Sequence, residues 1–149
     1  MVLYFTGASR SSAAIIDQQR KNTSSGNQKA IDAMHRIKQS AIDMKLALLK
    51  GDMQAFAKIL GQGWEDKKKM AEAISNPMIQ EVFDVAIPAG ALAGKVSGAG
   101  GGGFIMLMVE PTRKKEVINA LKELDGFVMP FQFTEGGAHG WKIYPTDKI

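Results

Sequence analysis

Seven of the chain's sixteen glycines fall between Gly90 and Gly103, and four of them, Gly100 to Gly103, are consecutive. Glycine loses more backbone freedom on ordering than any other residue, so such a run is a poor interior for a helix or a strand. The segment Gly94-Lys95-Val96-Ser97-Gly98-Ala99-Gly100-Gly101-Gly102-Gly103-Phe104 holds a formal G-x-G-x-x-G at Gly98, Gly100 and Gly103. That pattern grips a dinucleotide only where a strand precedes it and a helix follows, because the helix N-terminus holds the pyrophosphate. Here Phe104 to Val109 follows, a continuous apolar run that reads as a buried strand. The dinucleotide reading fails on context. The P-loop reading fails because no Gly-Lys-Ser/Thr follows. What is left is a glycine-rich turn between two strands. A two-residue hairpin turn needs only one or two glycines. The surplus points to something that approaches the backbone closely, and bare N–H groups make an anion nest. A plain hairpin loop is the alternative.

The rest of the chain supplies a domain around that turn. Its 149 residues are 45% hydrophobic and 23% charged, which suits one packed domain and argues against disorder. It has no cysteine, which excludes a disulfide scaffold and a thiolate zinc site and fits a reducing cytoplasm. No run of about 18 apolar residues suggests a transmembrane helix, and Met1 leads straight into Val-Leu-Tyr-Phe, without the pattern of a signal peptide. The net charge of +4 permits an anionic ligand without requiring nucleic acid.

Along the chain, Val2 to Phe5 reads as a strand, and so abrupt a start suggests an excised domain. Ser9 to Ser12 offer caps for a helix over Ala13 to Lys21. Asn27 to Lys50 has an apolar stripe of Ala30, Met34, Ile37, Ala41, Met44 and Leu48 at alternating steps of four and three. Asp52 caps a further helix, which Gly61 and Gly63 break before Trp64; another helix runs from Glu65 to Ile74. Asn76-Pro77 starts the next helix, and Pro88 kinks or ends it. Ala93 to Ser97 is extended, and Pro111 to Leu124 is helical. Phe127 to Phe133 alternates as a strand with its phenylalanines turned inward, and Trp141 to Tyr144 forms a last strand. Strands with their helices gathered together predict an α+β domain, a ferredoxin-like plait whose four-stranded antiparallel sheet carries several packed helices.

The glycine segment from Lys95 to Phe104 resembles the third motif of the GHMP kinases, and within them that of the heptose 7-phosphate kinases. The opening Leu3-Tyr4-Phe5-Thr6-Gly7-Ala8-Ser9-Arg10-Ser11-Ser12 is similar to the start of their C-terminal half. The ending, Phe131-Gln132-Phe133 with Gly137-Ala138-His139-Gly140-Trp141, is similar too. The three matches keep the family's order and span nearly the whole chain. The resemblance implies that residues 1–149 are a GHMP kinase C-terminal domain, with the ATP-binding loop and an acidic catalytic residue in an N-terminal domain. The whole would transfer the γ-phosphoryl group of ATP, with Mg²⁺, to the anomeric hydroxyl of a heptose 7-phosphate, and the fragment alone would be inactive. The carriers implied here are Gly98, Ala99, Gly100, Gly101, Gly102 and Gly103, with a hydroxyl from Ser97 and positive charge from Lys95, unless Lys95 lies on the solvent face of its strand. Thr6, Ser9, Arg10 and Ser11 sit where a strand meets a helix and are the expected sugar-phosphate contacts, since Arg binds phosphate bidentately and a helix start favours anions. Ordinary capping beside a surface arginine is the alternative.

Other residues carry less. His35 and His139 have no ligand-spaced partner, so no metal site is expected. Lys67 to Lys69 and Arg113 to Lys115 read as solvated helix faces, and Met34 and Met44 as core. A cytoplasmic enzyme domain whose partners are a sugar phosphate and an N-terminal kinase domain, without nucleic acid or membrane, is the leading expectation. A homodimer is compatible with it. The competing functions are a ligand- or RNA-binding ferredoxin-like module and a dimerisation fragment.

Overall fold

The computed structural model describes residues 1–8 and 11–142. Strand β1 (Val2–Phe5) leads into four helices, α1 (Ser12–Ser24), α2 (Gln28–Leu49), α3 (Met53–Lys68) and α4 (Pro77–Ala89). Then come β2 (Ala91–Val96), β3 (Phe104–Val109), α5 (Lys114–Leu121) and β4 (Phe127–Met129). The sheet order is β2-β3-β1-β4 and every pairing is antiparallel. This is the predicted ferredoxin-like plait, a split β-α-β arrangement with three extra helices in its first crossover.

Alternation along the strands decides where the core lies. Val2 and Tyr4 of β1 and Ile105, Leu107 and Val109 of β3 are buried on one face. There they meet Ile79, Val82 and Ala86 of α4 and Val117 and Leu121 of α5. The other face carries Phe5, whose ring lies 5.0 Å from Phe104 and 5.3 Å from Phe127. The expectation that Phe127, Phe131 and Phe133 turn inward is therefore overturned: all three are exposed, Phe133 at 80%. Register explains Phe127, which pairs with outward Phe5 while Val128 pairs with inward Tyr4. Strand β4 stops at Met129 because Pro130 has no N–H for the ladder. Of the expected last strand, Trp141 and Lys142 are not extended into a ladder, and the remainder lies outside the described residues.

The helices correct two further expectations. Helix α3 runs unbroken through Gly61 and Gly63 and ends at Lys68, so no separate helix covers 65–74; only a 3-10 turn, Glu72–Ile74, follows. Gly61 serves packing, since a Cβ there would stand 3.3 Å from the Cβ of Ala93 on edge strand β2. The close approach lets α3 cover a strand edge that would otherwise be open. On α2 the buried positions are Ala30, Ala33 and Ala47, whereas Met34 and Leu48 of the expected stripe are exposed. Caps fall as expected at Asp52, which accepts from the Ala55 N–H at 2.9 Å, and at Asn76, which accepts from Ile79 at 2.9 Å. Pro88 sits one residue before the end of α4, and left-handed Gly90 (φ 118°) closes it.

Helices α2 and α3 are pinned together by Asp66, whose buried carboxylate accepts from Arg36 Nε at 2.8 Å and from Lys69 Nζ at 2.8 Å. Burial alone raises the carboxyl's pKa, but the hydrogen bonds and charges of Lys69 and Arg36 outweigh it and leave Asp66 below the ordinary carboxylate range. A lowered folded pKa gives stability that is present above the unfolded value and lost as pH falls through the folded one. Asp66→Asn is expected to cost about 1–2 kcal/mol at neutral pH, the sum held down because water screens the half-exposed guanidinium and ammonium. In urea melts at stepped pH, the gap between wild type and variant should narrow below about pH 4. A gap that stays constant into acid contradicts the assignment.

Candidate functional site

Residues 97–103 connect β2 to β3 and fold back over the end of β1. The Ser97 N–H donates to the Phe104 carbonyl at 2.7 Å, closing the ladder. Beyond it, Gly98, Gly100, Gly101, Gly102 and Gly103 take φ values of 73, 112, 78, 147 and 85°, a region that side chains disfavour. Two of them meet a second constraint. A Cβ at Gly100 would stand 2.7 Å from the Ile74 carbonyl oxygen, and one at Gly102 would stand 2.7 Å from that of Ala8. Ala99, the one residue inside the run that carries a side chain, is not in the left-handed region.

The loop is tied down at several points. Gly101 N–H donates to the Ile74 carbonyl at 2.8 Å and Gly103 N–H to that of Ala8 at 2.8 Å, while Thr6 N–H donates to the Gly103 carbonyl at 2.9 Å. The Asn76 side-chain amide donates to the Gly101 carbonyl at 3.0 Å while its oxygen caps α4. Asn76 thus fastens the loop to a helix start, a role the sequence signal Asn-Pro conceals because capping already accounts for it. These ties consume the N–H groups of Gly101 and Gly103. Those of Gly98, Ala99, Gly100 and Gly102 make no hydrogen bond to the described residues. Backbone donors held in place without an internal partner are a nest for anionic oxygens.

The predicted side chains fall into three groups. Thr6 is buried, donates its hydroxyl to the Ala8 carbonyl at 3.0 Å and accepts from Gly103 N–H at 3.0 Å, so it braces the loop from below. Ser97 and Ser11 are exposed. Ser11 stands at the start of α1 without a capping hydrogen bond from its hydroxyl, so capping does not account for it. Ser9 and Arg10 lie outside the described residues. Lys95 is half-buried and lines a cavity between α2, α3 and β2, not an open solvent face. Sequence reasoning passed over Lys67. It does not lie on a freely solvated face: its ammonium donates to the Gly98 carbonyl, and it lines the same cavity as Lys95. The only signal was its place in a lysine triplet, which looks like any charged helix end. Among the described residues no three His, Asp or Glu side chains gather into a set able to hold a metal ion, so no metal ligand is assigned.

The arrangement offers N–H donors held in place and, beside them, two lysines that line one cavity. It can hold phosphate or alkoxide oxygens. Residues 44–125, more than half of the chain, match the family described as GHMP kinases C terminal. A D-glycero-alpha-D-manno-heptose 7-phosphate kinase of Campylobacter jejuni is 43% identical over 142 residues, covering 95% of this chain and 41% of that protein. The crystal structure of a sugar kinase candidate from Campylobacter jejuni has a TM-score of 0.63 and 41% identity, covering 95% of this chain and 38% of that one. A phosphomevalonate kinase of Streptococcus pneumoniae, solved with phosphomevalonate and AMPPNP, has a TM-score of 0.71 at 18% identity, covering 87% of this chain and 37% of that one. That likeness speaks for the fold alone. The chain spans less than half the length of the relatives it matches.

Proposed function

The chain belongs to the GHMP kinase family through its C-terminal domain, and from that premise we propose that it is the substrate-side domain of a sugar kinase. The reaction is transfer of the ATP γ-phosphoryl group to the anomeric hydroxyl of a heptose 7-phosphate. The observation that carries the proposal is the set of four N–H groups, at Gly98, Ala99, Gly100 and Gly102, that make no hydrogen bond to the described residues in a loop held by ties to Ile74, Ala8 and Asn76. The 43% identity to a heptose 7-phosphate kinase supports the choice of sugar.

Phosphoryl transfer asks a protein mostly for positioning and for charge stabilisation. The loop's donors would meet oxygens of the transferring group or of the acceptor, and fixed donors in a closed, water-poor site cost no reorganisation during the reaction. Thr6 holds the loop's shape, while Ser97, Ser11 and, by resemblance, Ser9 and Arg10 are the acceptor's polar contacts. ATP and Mg²⁺ are assigned to a companion N-terminal domain that carries the nucleotide loop. When bound there, the metal supplies neutralisation of phosphate charge. A cytoplasmic location goes with such a substrate pair.

The test is a reconstitution. Joined to an N-terminal domain carrying the Gly-Leu-Gly-Ser-Ser-Ala loop, the chain is expected to give ADP release that depends on heptose 7-phosphate. The 149-residue chain alone is expected to give none. Turnover by the isolated chain contradicts the division of labour, and a joined protein that binds ATP but ignores sugar phosphates contradicts the substrate class.

A further inference from the structure

Two lysines beside the glycine loop stand apart from their neighbours. Lys68 pairs with Glu65 at 2.7 Å and Lys69 with Asp66 at 2.8 Å, as helix-surface lysines commonly do. Lys67 and Lys95 have no carboxylate within ion-pair reach among the described residues. Both line one cavity of about 220 Å³ whose other walls include Ile37, Met44, Leu60 and Trp64. Two lysines that line one largely apolar cavity, with no carboxylate in reach among the described residues, repel each other through their charges, and an anion relieves that cost. Burial, and then the charge of Lys95, hold the Lys67 ammonium below its ordinary pKa range.

We propose that Lys67 and Lys95 form a phosphate-dianion site on the α3 side of the glycine loop. Lys67 spends one of its three N–H donors on the Gly98 carbonyl, which fixes the ammonium at the loop's edge and leaves two donors for a ligand. A terminal phosphate carries roughly −1.5 to −2 charges at neutral pH, matching two lysines. Arg36 and Lys69 hold Asp66, the residue before Lys67, and so keep its carboxylate occupied elsewhere. The dianion can come from the acceptor's phosphate ester or from the nucleotide. The inference deepens the kinase reading and rests on it for the ligand's identity, but not for the site's existence.

The test is lysine footprinting on the 149-residue chain, with limited acetylation by acetic anhydride read at each lysine by peptide mass spectrometry. Inorganic phosphate is expected to protect Lys67 and Lys95 and to leave Lys68 and Lys69 reactive, with sodium chloride at matched ionic strength protecting none. Lys95 takes no part in tying the loop, so Lys95→Met should fold. It is expected to raise the phosphate concentration for half-protection of Lys67 about tenfold or more, the loss of one charge-assisted hydrogen bond. Heptose 7-phosphate and ATP then form two arms. Protection by either supports the site and tells which molecule brings the dianion. Equal protection of all four lysines, no protection by any of the three probes, or an unshifted curve in Lys95→Met overturns it. The footprint does not read turnover, so its failure leaves the kinase reading standing, and a joined enzyme without turnover leaves the footprint standing.

Discussion

Gly102→Ala, in the joined two-domain enzyme, is expected to lower kcat/KM for the sugar phosphate by about 10²- to 10³-fold, the range seen when a preorganised donor is lost from a charge-stabilising site. Gly102 has φ 147°, and the new Cβ would stand 2.7 Å from the Ala8 carbonyl oxygen. That oxygen cannot yield freely, because it also accepts from Gly103 N–H and from the Thr6 hydroxyl. The loop must therefore move, and the uncommitted N–H groups move with it. Stability should fall by only about 2–4 kcal/mol, the cost of one strained contact where the loop meets the end of β1. Kinetics taken at a temperature where circular dichroism shows the variant folded separate the two effects. A folded variant with wild-type kcat/KM removes the loop from the mechanism.

Gly126→Ala is expected to do the reverse. Gly126 lies outside the glycine cluster, just before β4, and a Cβ there would overlap the Phe5 carbonyl oxygen and the Tyr4 phenol. Its N–H donates to the Tyr4 hydroxyl at 2.8 Å, and Tyr4 is 1% exposed at the centre of the core. Room for a methyl group can come only by moving β1 or turning a fully buried ring out of its site. A cost of about 3–5 kcal/mol follows, which for a domain of this size lowers Tm by roughly 10–15 °C. Below its transition the variant should keep most of the activity per folded molecule, because none of the loop's ties involves Gly126. An unshifted Tm means that the β1–β4 junction is looser than this packing describes.

The contrast between these two glycines shows what can be read from the chain. The cluster was legible because its surplus over any turn's needs has no cheaper account than a backbone site, and because a strand and not a helix follows it. Gly126 looks like any turn glycine, since the atoms that exclude a Cβ belong to β1, more than a hundred residues away. Shorter separations, 25 and 31 residues, hide Asn76 and Lys67. Capping explains the first and helix-surface charge explains the second until the loop folds onto both.

The plait itself followed from element order. Phe127, Phe131 and Phe133 alternate as a strand should, but period-two spacing does not say which face is inward, and Pro130 ends the strand. The glycines of α3 have the composition of a break and the function of a close approach to Ala93. Met34 and Leu48 keep helical spacing on α2, yet the small residues Ala30, Ala33 and Ala47 take the buried positions. The outward row of Phe5, Phe104 and Phe127 is also a placement of aromatics that an RNA-binding plait could use. The kinase reading rests instead on the loop and on the family match.

The central claim is that the loop offers four backbone donors to ligand oxygens and keeps two for itself. Amide chemical shifts of the joined enzyme, titrated with heptose 7-phosphate in the presence of a non-hydrolysable ATP analogue, test it most directly. The account predicts downfield movement of the Gly98, Ala99, Gly100 and Gly102 protons, with Gly101 and Gly103, already bonded to Ile74 and Ala8, nearly still. A saturating titration that leaves the first four unmoved, or moves all six alike, contradicts it.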